Sequence, residues 1–149
     1  MRTVWTFHIA QSVVFGQNAV ARLGDIATRL RAKKALIVTD PILEKAGLLE
    51  RVRTPLVEAG VNVAAFTGGE PEPSMKAALA CYDMAKTAQP DVLVGVCGGS
   101  NMDLAKLAAT LLKHGGAPRD YVGDDKIPGP VFPLICVPTT AGKIGRAHV

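Results

Sequence analysis

Two adjacent glycines that join a strand-like segment to a helix-like segment are the residues best suited to chemistry in this sequence. The apolar run 92–96 leads through Cys97 into Gly98 and Gly99, and apolar residues then recur at helical spacing from Leu104 onward. Glycines let backbone N–H groups approach an anion closely, and the start of a helix carries a partial positive charge. The pattern indicates a phosphate-binding loop formed by Gly98, Gly99 and Ser100.

A purely structural interpretation of this loop is equally compatible with the bare pattern. Ser100 and Asp103 have the Ser-x-x-acid spacing of a helix capping box, and the two glycines could form only a tight turn. The order of the glycines also differs from the common G-x-G-x-x-G arrangement. Both interpretations stay open at this level.

Polar residues also follow two other predicted strands. Asp40 follows residues 35–39, and Thr139 and Thr140 follow residues 131–137. Parallel strands end at one edge of a sheet, which is where ligands of such sheets bind. A carboxylate there can accept hydrogen bonds from the ribose of NAD and repel the 2′-phosphate of NADP. Asp40 could instead serve only as the cap of a helix that begins at Pro41, and the two threonines could form an ordinary turn.

The elements that would position these residues alternate along the chain. We predict strands at 35–39, 61–66, 92–96 and 131–137, and one or two short strands within 3–15. We predict helices at 20–30, from Pro41 with interruptions near Gly47 and Pro55, from Ser74 to about Thr87, and from 100 to about 113. Residues 68–73 form a predicted turn and 114–130 a loop. Continuous apolar strands between helices predict an α/β fold whose parallel sheet is covered on both faces.

Composition narrows the functional class. The 149 residues are 48% hydrophobic, enough for one domain with a core, and the net charge of +4 is scattered along the chain. No basic run is interleaved with aromatic residues, which disfavours nucleic-acid binding. Three cysteines without a C-x-x-C pair predict a reduced compartment and no zinc site. Without a signal-peptide pattern or a run long enough to cross a bilayer, we expect a cytoplasmic protein with no membrane partner.

No residue is assigned a catalytic or metal-binding role. His8 and His114 are isolated, and neither has a second potential ligand at metal-binding spacing. We find no Ser/His/Asp or Cys/His arrangement, and nothing near Cys97 in sequence would activate its thiol.

Several segments, in the correct order, resemble one enzyme family. Residues 98–106, GGSNMDLAK, resemble the GGGSxxDxAK signature of the iron-containing (group III) alcohol dehydrogenases. Residues 133–142, PLICVPTTAG, resemble the family's PxxxIPTTAGTGSE segment, and Phe15-Gly16 with residues 22–24 resembles its opening. The resemblance covers residues 1–142. It implies a Rossmann-like N-terminal NAD(P)-binding domain of the dehydroquinate-synthase-like fold, without the C-terminal helical domain.

The resemblance also implies roles for individual residues. Asp40 would contact the adenosine ribose, Gly98, Gly99 and Ser100 would hold the pyrophosphate with Asp103 close by, and Thr139 and Thr140 would approach the ribose, phosphate or nicotinamide. The implied cofactor is NAD, with NADP disfavoured. In the full-length parent, which is expected to be a homo-oligomer, one Asp and three His of the helical domain would hold Fe²⁺ or another divalent metal. Its substrate would be a small alcohol or aldehyde.

Other functions remain open. The parent could belong to a related branch of the family, such as the maleylacetate reductase or glycerol dehydrogenase type. Alternatively, the chain could be a nucleotide-binding module without catalysis. Because the implied metal ligands are missing from this sequence, we expect the fragment itself to be inactive.

The sequence departs from the family pattern at three places. Cys97 replaces the first glycine of the family's triplet, and Glu72 stands where many members have Asn between two prolines. Residues 143–149, KIGRAHV, replace the expected TGSE and match one translated frame of a common sequencing-library adapter. We therefore expect 143–149 to be non-native and the domain at 1–142 to be incomplete at its C-terminal end.

Overall fold

The computed structural model describes residues 12–123 and 126–139. In this part of the chain, parallel strands alternate with helices, and two short 3₁₀ helices lie at Ala19–Arg22 and Pro118–Tyr121. The strands are β1 (Lys34–Val38), β2 (Asn62–Phe66), β3 (Val92–Cys97) and β4 (Leu134–Pro138). The α-helices are α1 (Leu23–Arg29), α2 (Pro41–Lys45), α3 (Leu48–Glu58), α4 (Met75–Ala88) and α5 (Ser100–His114).

The four strands form one parallel sheet in the order β2-β1-β3-β4. The central strands are β1 and β3, and nearly all their apolar residues are completely buried. From β1 the chain first adds β2 on one side, and then returns to add β3 on the other side. The predicted α/β architecture with a parallel sheet is confirmed, and the order of the strands reverses between β1 and β3.

Alternate residues of the central strands face two separate cores. On one face Ile37 belongs to a cluster with Leu49, Val52 and Leu56 of α3. On the other face Leu36, Val38 and Leu93 belong to a cluster with small residues of α4 and α5. Both faces of the sheet are therefore covered by helices, which explains why the strands read as continuous apolar runs.

Close packing of α5 on β3 depends on Gly95. A Cβ atom at this position would lie 3.0 Å from the Ala105 Cβ and 3.2 Å from the Met102 Cα. Because the strand has no side chain there, the helix lies directly against it. This contact fixes the start of α5 relative to the end of β3.

The predicted interruption near Gly47 is confirmed, but the one at Pro55 is wrong. Gly47 has a left-handed backbone (φ +77°) and separates α2 from α3, whereas α3 continues through Pro55. A proline in a helix interior costs about 3 kcal/mol. Burial of Leu49, Val52 and Leu56 on either side outweighs this, since each buried aliphatic side chain contributes about 1.5–3 kcal/mol.

Two predicted strand boundaries also differ from the structure. Strand β4 begins at Leu134 and not at residue 131, because the Phe132 N–H donates to the carbonyl oxygen of Ala109 on α5 (3.2 Å) and not to the sheet. Of the strands predicted within 3–15, residues 3–11 lie outside the described residues, and residues 12–15 form no strand.

No helix in the described residues combines the length and the apolar character needed to cross a bilayer.

Replacing Pro55 with alanine should stabilise the protein. Pro55→Ala restores an N–H to the interior of α3, and we expect the free energy of unfolding to rise by about 1–3 kcal/mol. Urea unfolding measures the change. Pro41→Ala is the matched control, because Pro41 occupies the first turn of α2, where proline is favourable, and it should give no gain. A loss of stability in Pro55→Ala would contradict this account of α3.

Lowering the pH should destabilise the protein at the start of β1 and β3, where Asp91 bonds to the backbone. The Asp91 carboxylate accepts hydrogen bonds from the backbone N–H groups of Lys33 (2.7 Å) and Lys34 (2.8 Å), and these bonds lower its pKa. A carboxyl group with a lowered folded-state pKa contributes stability above its unfolded-state pKa of about 3.9, and this stability is lost as the pH falls through the folded-state pKa.

The Asp91→Asn variant should therefore be less stable than the unsubstituted chain at neutral pH. Its stability should also fall by a smaller amount when the pH is lowered. Denaturant midpoints measured across the acid range test this. Asp83→Asn on α4 removes a carboxylate that pairs with Lys86 rather than with the backbone, and serves as the control. An acid-dependent loss in Asp91→Asn equal to that of the parent would argue against this role for Asp91.

Candidate nucleotide-binding site

Four of the predicted site residues lie at the C-terminal ends of three strands, and Ser100 and Asp103 lie in the first turn of α5. Asp40 follows β1, Gly98 and Gly99 follow β3, and Thr139 follows β4. The Thr139 N–H donates to the carbonyl oxygen of Cys97 (3.4 Å), which places Thr139 beside the glycine loop. Thr140 lies outside the described residues. The point where the strand order reverses, between β1 and β3, is therefore flanked by Asp40 and the glycine loop, as in open α/β sheets that bind ligands.

Asp40 makes two kinds of contact through its two carboxylate oxygens. Its Oδ1 accepts hydrogen bonds from the N–H groups of Ile42 and Leu43, both at 2.9 Å, and so caps α2. Its Oδ2 accepts a hydrogen bond from the side-chain amide of Asn101 at 2.8 Å. The capping role considered from the sequence is thus confirmed, and the half-buried carboxylate is also hydrogen-bonded to the first turn of α5.

Helix α5 begins without a side-chain cap, unlike the helices after β1 and β2. Asp40 caps α2, and Ser74 caps α4 by accepting a hydrogen bond from the Ala77 N–H at 3.2 Å. The cap position of α5 is Gly99, which has no side chain, and Ser100 is already the first helical residue. The capping box considered for Ser100 and Asp103 is therefore not formed. Among the described residues, no side chain caps the first backbone N–H groups of α5, which can therefore donate to water or to an anion.

Asn101 is a functional candidate that the sequence analysis missed. It is 1% exposed, and its Nδ2 donates both to Asp40 Oδ2 and to the carbonyl oxygen of Val96 (3.0 Å). Exchanging the amide oxygen and nitrogen would place the oxygen against two acceptors, so the orientation is settled. The signal in the sequence is an asparagine, a weak helix former, in the first turn of a helix after two glycines.

Gly69, in the loop after β2, completes the contact between loops. Its N–H donates to the carbonyl oxygen of Thr39 (3.0 Å), and a Cβ atom there would lie 2.6 Å from that oxygen and overlap Asn101 Oδ1. Only glycine fits here. The sequence analysis predicted Gly69 only as part of a turn. In the structure, Gly69 lets the loop after β2 pack against Asn101.

Two of the remaining polar residues on α5 lie one turn apart. Asp103 is exposed, and the Nζ atom of Lys106 lies 3.8 Å from its Oδ1. The Lys106 side chain is only 14% exposed, so its aliphatic part packs along the protein surface. A negative and a positive group thus lie side by side in the first two turns of the helix.

The three cysteines differ in their surroundings. Burial raises the pKa of the Cys81 thiol to about 12. Burial also raises the pKa of Cys136, an effect that Lys106 opposes and Asp103 reinforces. Cys97 is half-buried as the last residue of β3, and its φ is not positive, so a side chain in place of the family's glycine needs no left-handed backbone.

Glu72, the second departure from the family pattern, has a left-handed backbone with φ +54°. It is exposed in the turn before α4. Asparagine tolerates this region better than other residues with side chains, so the asparagine that the resemblance leads one to expect here would fit this backbone more easily than glutamate. Nearby, the Ser74 N–H donates to Glu70 Oε1 (2.9 Å), and the contact with Ser74 lowers the pKa of Glu70.

Within residues 12–123 and 126–139, no group of three or more His, Cys, Asp or Glu side chains could hold a metal ion.

The chain is similar to known proteins in both sequence and fold. The chain is 38% identical to the NAD-dependent methanol dehydrogenase of Bacillus methanolicus over 136 residues, which are 91% of this chain and 36% of that protein. The fold matches a crystal structure of 1,3-propanediol oxidoreductase with a TM-score of 0.88 and 34% identity, covering 93% of this chain and 36% of the other. It also matches sulfoacetaldehyde reductase from Bifidobacterium kashiwanohense in complex with NAD⁺, with a TM-score of 0.79 and 28% identity over 95% of this chain and 37% of the other.

The chain thus spans about a third of the length of these relatives. The sequence profile of one family, described as iron-containing alcohol dehydrogenase, matches residues 10–144. This match covers most of the chain and includes both the glycine loop and Asp40. The chain belongs to the iron-containing alcohol dehydrogenase family.

Proposed function

We propose that this chain is the cofactor-binding part of an NAD-dependent, metal-dependent alcohol dehydrogenase, and that alone it binds NAD without turning over alcohol. The observation that carries the proposal is the uncapped start of α5 beside the Asp40 carboxylate, at the point where the strand order reverses. The NAD-dependent methanol dehydrogenase and the NAD⁺ complex among the similar proteins support the choice of cofactor.

The pyrophosphate of NAD would lie at the start of α5. Backbone N–H groups of Gly98, Gly99 and Ser100 would donate to its oxygens, and the helix dipole would favour its negative charge. Gly99 presents no side chain toward this position, and no side chain competes for the N-terminal N–H groups among the described residues. Asp103 lies one turn further along the helix.

The adenosine ribose would lie beside Asp40. The carboxylate accepts hydrogen bonds from hydroxyl groups and repels a phosphate at the 2′ position, so NAD is favoured over NADP. Thr139 and Thr140 would approach the ribose, phosphate or nicotinamide end, and the hydrogen bond from the Thr139 N–H to Cys97 places Thr139 next to the glycine loop.

The chemistry of the whole enzyme needs more than these residues. Bound NAD supplies a hydride acceptor for oxidation of an alcohol to an aldehyde. The described residues contribute binding and orientation of the cofactor, and none of them forms the metal site that such a reaction would use. Substrates of the full-length parent would be small alcohols or aldehydes, and the parent would be a homo-oligomer in the cytoplasm.

The binding part of the proposal predicts a preference between two cofactors. Titration calorimetry of the 149-residue chain should give tighter binding of NAD⁺ than of NADP⁺. Asp40→Ser should weaken NAD⁺ binding roughly tenfold and abolish the preference, because serine still caps α2 but carries no charge. Asp83→Ser on α4 makes the same change in net charge away from the site and should alter neither affinity. Absence of NAD⁺ binding, or tighter binding of NADP⁺ to the parent chain, would refute the proposal.

The catalytic part of the proposal predicts no turnover by this chain. A sample that binds NAD⁺ by calorimetry should form no NADH with a primary alcohol and added Fe²⁺, because the described residues contain no group of side chains that could hold the metal ion. The binding measurement on the same sample shows that the site is intact. Alcohol-dependent formation of NADH, followed by its absorbance, is the contrary result.

A further inference from the structure

The Asp40 carboxylate has little acceptor capacity left for a ligand. A carboxylate offers about four acceptor positions, two on each oxygen. On Oδ1 both are used by the N–H groups of Ile42 and Leu43, and on Oδ2 one is used by Asn101 Nδ2. One position on Oδ2 remains.

Asn101 determines where this remaining position lies. Both hydrogens of its amide nitrogen are used, one by Asp40 and the other by the carbonyl oxygen of Val96 at the end of β3. Its Oδ1 is buried against Gly69 without a hydrogen-bond partner among the described residues, so the amide has no room to move toward the loop after β2. The carboxylate after β1 is thereby held in a fixed position relative to the start of α5.

We propose that Asn101 is a positioning residue that limits Asp40 to a single ribose hydroxyl. Accepting both neighbouring hydroxyls of a ribose needs two free acceptor positions. The cap of α2 leaves none on Oδ1, and the bond from Asn101 leaves only one on Oδ2. The inference rests on the proposed function, since it assumes that Asp40 faces the adenosine ribose. It adds that the two hydroxyls are not equivalent and that Asn101 creates the difference.

The first experiment compares the affinities of ADP, 2′-deoxy-ADP and 3′-deoxy-ADP for the unsubstituted chain, measured by calorimetry. One of the two analogues should bind roughly tenfold to a hundredfold more weakly than ADP, the range for loss of a hydrogen bond to a charged group. The other should bind within about threefold of ADP, since its lost hydroxyl made no bond to the carboxylate. Equal weakening of both analogues, or weakening of neither, would overturn the inference.

The second experiment tests Asn101 itself with Asn101→Leu and Asn101→Ala. Without the amide, Oδ2 has two free positions and the carboxylate is no longer held, so the ratio between the two deoxy analogues should shrink to within about threefold. Thr110→Val is the matched control, because Thr110 is a buried polar residue of the same helix whose hydroxyl donates only to the Lys106 carbonyl oxygen. This variant should show the same ratio of affinities for the two deoxy analogues as the unsubstituted chain.

The ratio separates positioning from general destabilisation. A purely structural role for Asn101 would weaken all three ligands together and leave the ratio unchanged, and that result would overturn the inference. If neither variant folds, the comparison of analogues on the parent chain still decides the single-hydroxyl claim. If the unsubstituted 149-residue chain does not bind ADP, the proposed function is refuted as well. If it binds ADP but uses both hydroxyls equally, only this inference is refuted.

Discussion

Burial of β1 and β3 on both faces is the constraint on which the rest of the structure depends. A polar side chain in the middle of a strand that is buried on both faces is costly, and the middle residues of β1 and β3 are all apolar or glycine. Polar residues can therefore enter only where the strands end, and β1 and β3 end side by side because Val38 is paired with Gly95. The candidate site is the region where the chain leaves this buried sheet.

The contact between Asp40 and Asn101 turns that proximity into a defined geometry. Loops that follow neighbouring strands are near one another in any parallel sheet, but nearness alone does not fix the direction of a carboxylate. Here one amide nitrogen bonds to both strand ends, and Gly69 closes the space from the side of β2. Groups from three loops are consequently held together by a few buried polar contacts, whose loss would leave buried acceptors unpaired.

The sequence predicted the architecture more completely than the site. Apolar runs and glycine or proline boundaries located the four strands and the helices between them, because the burial of each strand leaves a direct pattern in the sequence. The continuation of α3 through Pro55 could not be predicted, since it depends on burial of leucines against a sheet formed by distant residues. Asp40, Gly98 and Ser100 were recognisable from their positions after strands. Asn101 was not, because its role depends on a partner at the end of another strand, and no local pattern records that contact.

The several bonds of Asp40 have a consequence for how such a site can change during evolution. Most substitutions at this position remove the cap of α2 and deprive the amide of Asn101 of one of its two acceptors, whichever ligand binds nearby. A change in ligand preference made through Asp40 is therefore accompanied by a loss of folding stability. Serine and asparagine, which still cap a helix, give up the least of it. A change of ligand preference at this site is therefore expected mainly in proteins whose free energy of unfolding is high enough to tolerate the loss, or in those in which residue 101 changes at the same time.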